Sequence, residues 1–141
     1  MTRSFVDTNI LVYRLDDNEP SKQALAEALV QDLNASREIV ISAQTLQELF
    51  VTLARKLAAN LQSPDARAIV RSHAELPAVQ VDVSLILAAM ARVEAASISF
   101  WDALVVEAAL VAGATRLLTE DLQHGQVFDG RLRVENPFRS G

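Results

Sequence analysis

The sequence predicts an α/β protein, a three-layer α/β/α sandwich around a mostly parallel central sheet. Short apolar runs alternate along the chain with longer stretches of helical character, which is the pattern of successive βα units. Half of the 141 residues are hydrophobic, so the chain can bury a core of its own. No linker, repeat or low-complexity segment interrupts the alternation, and residues 1–141 read as one domain.

The elements follow in order. Ser4-Phe5-Val6 reads as the first strand, and Asp7-Thr8-Asn9 opens a helix reaching about Leu15. Pro20 starts a second helix that runs to about Leu33 and ends near Asn34. Glu38 to Ser42, carrying Ile39-Val40-Ile41, reads as a second strand, followed by a long helix from Ala43 to about Asn60. Ser63-Pro64 supplies an N-cap and a first-turn proline for a helix to about Leu76. Ala78 to Val81 reads as a third strand, and Val83 to Ala96 as a helix with Leu85, Ala88, Ala89 and Arg92 at helical spacing. Ser99 begins a further helix that stops at Gly113, where glycine suits a left-handed cap. Arg116 to Thr119 reads as a short buried strand, and Leu132-Arg133-Val134 as an edge strand before Pro137.

Composition excludes several classes. No apolar run is long enough to span a bilayer, and a charge interrupts the N-terminal residues before a signal-type stretch develops, so the expectation is a cytoplasmic protein without membrane contact. Zero cysteines exclude disulfides and thiolate metal sites. The net charge of −5 argues superficially against a nucleic-acid partner. Setting aside the four acids discussed below leaves 14 acids against 13 basic residues, so RNA is not excluded. Arginine dominates the basic set, with lysine only at Lys22 and Lys56, and guanidinium forks match phosphate well.

Four acids stand at special points. Asp7 and Asp121 follow strands closely, and ligands in such sheets bind at the carboxyl ends of strands. Asp102 lies in a helix from Phe100 to Gly113 that is apolar nearly all round, where a charge is costly unless paired or ligated. Glu48 is opposite the stripe Leu46, Leu49, Phe50, Leu53 and Leu57, on a polar face with Gln44, Thr52 and Arg55, and periodicity alone makes it a solvated residue. Each acid has an ordinary reading: Asp7 as an N-cap, Asp102 as the third helical residue of a capping box with Ser99, and Asp121 as a turn former. Those readings explain one acid better than a set. A cluster of carboxylates with almost no histidine suits Mg²⁺ or Mn²⁺ rather than zinc, and metal-assisted hydrolysis of phosphate esters is the chemistry it implies. Carboxylates at short range also repel, so at least one is expected to carry a raised pKa without metal.

With these motifs in order, the chain resembles a PIN-domain endoribonuclease of the VapC toxin type. Phe5-Val6-Asp7-Thr8-Asn9 is similar to that family's opening motif, Gln47-Glu48-Leu49 to its second acid, Ser99-Phe100-Trp101-Asp102-Ala103-Leu104 to its third, and Leu118-Thr119-Glu120-Asp121-Leu122 to its fourth. The resemblance implies the three-layer fold, Mg²⁺ or Mn²⁺ dependence, structured RNA such as tRNA as substrate, a homodimer, and inhibition by a cognate antitoxin. It implies a metal held most directly by Asp7 and Asp102, with Glu48 and Asp121 binding a second ion or orienting its waters. Thr8, Asn9 and Thr119 would hydrogen-bond behind these ligands, and, because the family's fourth acid varies in position, Glu120 is a second candidate beside Asp121.

Rival classes fit less well. A phosphoacceptor receiver domain needs a late lysine, and none follows Lys56; an aspartyl phosphatase needs a second Asp where Asn9 stands. His73 continues the apolar-spaced series Ala66, Ile69, Val70, and His124 sits in a polar loop, so their spacing does not support a metal-free acid–base pair. The remaining alternative is a catalytically inactive PIN-like module that binds RNA or an antitoxin.

Overall fold

A computed structural model describes residues 2–56 and 63–139. Six strands form one sheet in the order β3-β2-β1-β4-β6-β5: β1 Ser4–Val6, β2 Ile39–Ser42, β3 Ala78–Val79, β4 Arg116–Leu118, β5 Val127–Phe128 and β6 Leu132–Glu135. All neighbours run parallel except β5 and β6. The helices are α1 Thr8–Tyr13, α2 Pro20–Ala35, α3 Ala43–Lys56, α4 Ser63–His73, α5 Val83–Ala95 and α6 Phe100–Val111.

Strand alternation separates two cores. Phe5, Val40, Leu117, Leu132 and Val134 point to one face and pack with α5 and α6. Val6, Ile39, Ile41 and Leu118 point to the other, against α1, α2, Leu49 and Leu53 of α3, and α4. The sheet is therefore the middle layer of the predicted sandwich. Across α5 and α6, Arg92 pairs with Glu107 and with Asp129 of the β5–β6 turn, so the arginine of the expected helical series is an ion-pair anchor.

Helix ends follow local chemistry. Gly113 has φ of +72°, its N–H bonds to Leu110 and the Ala114 N–H to Ala109, closing α6 with a left-handed cap as expected. Helix α2 ends slightly later than expected, in the same cap geometry, with Arg37 in the left-handed position that glycine usually takes. Ser63 is the first residue of α4 rather than its cap; the expected end of α3 near Asn60, including Leu57, lies outside the described residues.

Two expectations are corrected. The strand at Leu132 is not an edge: it lies between β4 and β5, because Asp129 and Gly130, both at positive φ, turn the chain into a hairpin whose first arm covers it. The stripe on α3 is also rotated. Phe50 is exposed while Gln44 is buried, because the start of α3 abuts the start of α6, where the Gln44 Nε2 donates to the Trp101 carbonyl at 3.4 Å. No helix among the described residues is long and apolar enough to cross a membrane.

Candidate active site

The carboxyl ends of β1 and β4 lie side by side, with Val6 paired to Leu118, and this register brings the segments after them together. Asp7 follows β1. Its amide bonds the Leu118 carbonyl, and its carboxylate caps α1 by accepting from the Thr8 N–H at 2.7 Å and takes the Thr119 hydroxyl at 2.8 Å. The ordinary reading of Asp7 as an N-cap is thus true, and it leaves the side chain pointing at the residues after β4. Asp7 is only 6% exposed.

Burial pushes its pKa up to about 7, against the hydrogen bonds from Thr119 and Thr8, and the charges of Asp121 and Glu48 add to the rise. A raised carboxyl was expected from mutual repulsion. Repulsion contributes, but desolvation is the larger cause.

The other acids form a rim around this floor. Asn9, the second residue of α1, donates from Nδ2 to the Asp121 carboxylate at 3.0 Å and to Thr119 Oγ1 at 3.3 Å, while Thr119 Oγ1 also accepts the Asp121 N–H at 3.0 Å. Thr8 Oγ1 donates to Glu48 at 3.1 Å, tying α1 to α3. Asp102 stands in the first turn of α6, where the Ser99 hydroxyl caps its N–H at 3.0 Å. Burial raises the Glu48 and Asp102 carboxyls, opposed by hydrogen bonding with Thr8 and Ser99 respectively. The Asp121 charge acts on both, and Asp102 acts on Glu48. Asp121 therefore lies within electrostatic reach of the other three acids, and Glu48 of Asp7 and Asp102, so the four form one linked group. Glu48 as a whole is exposed, as periodicity predicts, but the exposed face of α3 lines the site.

Glu120 is placed differently. Its carboxylate accepts the Tyr13 hydroxyl at 2.5 Å and Lys22 Nζ at 3.3 Å, and the same ammonium lies over the Tyr13 and Phe138 rings. The turn after β4 thus aims Glu120 at α1 and α2, and Asp121 at Asn9. This clasp was not read from the sequence, since nothing local links Tyr13, Lys22 and Phe138.

The histidines stand outside the group. His73 is buried with Nδ1 2.7 Å from the Ile69 carbonyl and Nε2 3.3 Å from Arg14 Nη1, and His124 Nδ1 accepts the Asn136 N–H.

Among the described residues, no three histidine or carboxylate groups stand close enough to chelate a cation as placed. The donor chemistry nonetheless fits a hard divalent ion. None of Asp7, Glu48, Asp102 and Asp121 is ion-paired among the described residues, so no described cation neutralises them. Beside them, the Asn9 Oδ1 is buried with no hydrogen-bond partner, an acceptor whose desolvation is uncompensated by the protein alone. The amide cannot be reversed to cure this, because its Nδ2 is held by the Asp121 carboxylate.

Residues 4–127 match the family model described as PIN domain. A comparison with curated protein sequences finds no match. Among solved structures, the chain is similar to a toxin–antitoxin complex from Klebsiella pneumoniae, with 21% identity, a TM-score of 0.67, and 97% of this chain and 99% of that one covered. It is similar to the DNA-bound VapBC of Salmonella typhimurium at 19% identity and TM-score 0.68, covering 97% and 99%. It is also similar to Mycobacterium tuberculosis VapC20, a toxin that cleaves the sarcin-ricin loop, at 21% identity and TM-score 0.60, covering 81% and 86%.

Proposed function

The chain belongs to the PIN domain family, and from that premise we propose that it is a metal-dependent endoribonuclease, the toxin of a toxin–antitoxin pair. The observation that carries the reading is the group of four carboxylates without ion pairs among the described residues, in which Asp121 acts on the other three and Asp7 is buried and raised to about 7. A stable protein has little use for such a group unless a cation joins it.

Asp7 and Asp102 would hold Mg²⁺ or Mn²⁺ most directly, with Glu48 and Asp121 completing its surroundings. When bound, the ion lowers the pKa of water and offsets charge developing on phosphate oxygens. The chain supplies the rest. Thr119 and the Thr8 N–H hold the Asp7 carboxylate in one orientation, Thr8 fixes Glu48, and Asn9 fixes Asp121 while offering its free carbonyl oxygen to a water. The reaction adds water across the P–O3′ bond of an RNA phosphodiester, leaving 5′-phosphate and 3′-hydroxyl ends.

The same reading includes a cognate antitoxin, a homodimer and a cytoplasmic location. Similarity to toxin–antitoxin complexes over nearly the whole chain supports the first. Val83, Leu87 and Met90, exposed along one side of α5, support a protein-covered face.

The test is direct. Purified protein incubated with total RNA cleaves it in Mg²⁺ or Mn²⁺ and stops in EDTA, and end mapping finds 5′-phosphates. Asp102→Asn keeps the fold, loses cleavage by about 10³-fold or more, and loses the metal-dependent rise in Tm of the wild type. Cyclic-phosphate ends, or retained activity in that variant, overturn the assignment.

A further inference from the structure

The only tryptophan of the chain is left 64% exposed, immediately before Asp102 at the start of α6. An indole is a large apolar surface that ordinarily goes inside. This one is also held in place. The Phe100 ring meets it edge-on, with centroids 5.2 Å apart and planes at 75°, and its carbonyl receives the Gln44 amide. Gln44 is itself buried, and its Oε1 has no hydrogen-bond partner.

One turn further along α3, an open hollow of about 270 Å³ is lined by Gln47, Glu48, Val51 and Thr52. Its polar groups are an amide, a carboxylate and a hydroxyl, which suit the edge of a heterocycle. The hollow and Trp101 flank the same acids, because Glu48 lines the hollow and feels the charge of Asp102.

Charge narrows what such a place binds. Four carboxylates without paired cations among the described residues repel a phosphate backbone and Lys22 is taken up by Glu120, which leaves Arg55, exposed one turn beyond Val51 on α3, as a cation along this helix. A strand held beside these acids is therefore helped by a contact independent of phosphate charge. Stacking on an aromatic face is such a contact, and it accepts any base.

We propose that Trp101 and the hollow along Gln47, Glu48, Val51 and Thr52 form a nucleobase subsite, with the indole as stacking platform for a base beside the scissile phosphate. This rests on the ribonuclease reading above. A protein partner at the same indole is the competing outcome.

Because Trp101 is the sole tryptophan, its fluorescence reports on the subsite alone. The wild-type protein is titrated in Ca²⁺ at low salt with hexa-adenylate, checked for integrity on a gel, and with an abasic hexamer of equal phosphate count. Saturable quenching by hexa-adenylate and none by the abasic strand is expected. By anisotropy of labelled hexa-adenylate, Trp101→Ala raises Kd about tenfold, equal to about 1.4 kcal/mol, while Trp101→Phe stays within about threefold.

An indole indifferent to RNA, in a protein that cuts RNA with Mn²⁺, overturns the subsite and leaves the nuclease reading standing. Emission that shifts with protein concentration, with unchanged Kd in Trp101→Ala, assigns the residue to a protein contact and also overturns it. Quenching and a tenfold loss in a protein that cuts no RNA keep the subsite and remove the nuclease.

Discussion

The floor and the rim of the site use the same functional group in opposite ways. On the floor, Asp7 is buried at the carboxyl ends of β1 and β4, bonded by Thr8 and Thr119, and pushed up to about 7 chiefly by desolvation. On the rim, Glu48 and Asp102 project from first turns and exposed faces of helices, and burial raises them without the same enclosure. The floor is therefore the place where fold stability and the proposed metal binding conflict. The rim mainly supplies charge.

The largest expected effect breaks that comparison at Asp7. A carboxyl with a folded pKa near 7 and an unfolded value near 4 holds its proton more tightly when folded. Its contribution to stability is full below about pH 4 and is lost as the pH rises through about 7. Asp7→Asn removes this slope. Asparagine can still accept from Thr8 and reach Thr119, so the metal-free variant should be more stable than wild type at pH 8, by about 1–4 kcal/mol, while cleavage falls by roughly 10³-fold. Asp102→Asn should lose activity with stability changed by less than about 1 kcal/mol. Denaturant melts of both variants at pH 5 and pH 8 in EDTA separate floor from rim; an Asp7→Asn protein less stable at both pH values would end the distinction.

That contrast was only partly legible in the chain. The alternation of apolar runs and helices predicts the parallel sheet, and a strand-end Asp is visible as such. Its depth is not, because burial of Asp7 depends on β4 lying beside β1, a contact between residues more than a hundred positions apart. Glu48 shows the reverse: helical periodicity correctly predicts exposure, but only packing of α3 against α1 and α6 makes its exposed face a wall of the site. The β5–β6 hairpin was missed although Asp129-Gly130 is a strong turn signal, because two residues of Val127–Phe128 are too few to reveal alternation.

A smaller effect sharpens the comparison at Thr119, whose hydroxyl bonds Asp7, Asn9 and the Asp121 backbone and so joins floor to rim. Thr119→Val keeps the shape and deletes these bonds. Asp7 then loses the interaction that most lowers its pKa, so ionisation moves further above 7. Cleavage at pH 7 should drop by about 10–100-fold, with the rising limb of the pH–rate profile displaced to higher pH and activity partly recovered near pH 8.5. An unshifted limb would mean that Asp7 does not set it.

The smallest effect is expected where two neighbouring acids part company. Glu120 and Asp121 share one turn, yet Glu120 belongs to Tyr13 and Lys22, and Asp121 to Asn9 and the other site acids. Glu120→Gln keeps an acceptor for the Tyr13 hydroxyl and removes only the charge facing a solvent-screened ammonium, a pair of little consequence for stability. Cleavage should stay within about threefold of wild type and Mn²⁺ affinity should be unchanged, whereas Asp121→Asn weakens Mn²⁺ binding by about tenfold or more in isothermal titration. If Glu120→Gln lowered Mn²⁺ affinity as much as Asp121→Asn, the rim would have to include Glu120, and the clasp around Lys22 would have to open when the ion binds.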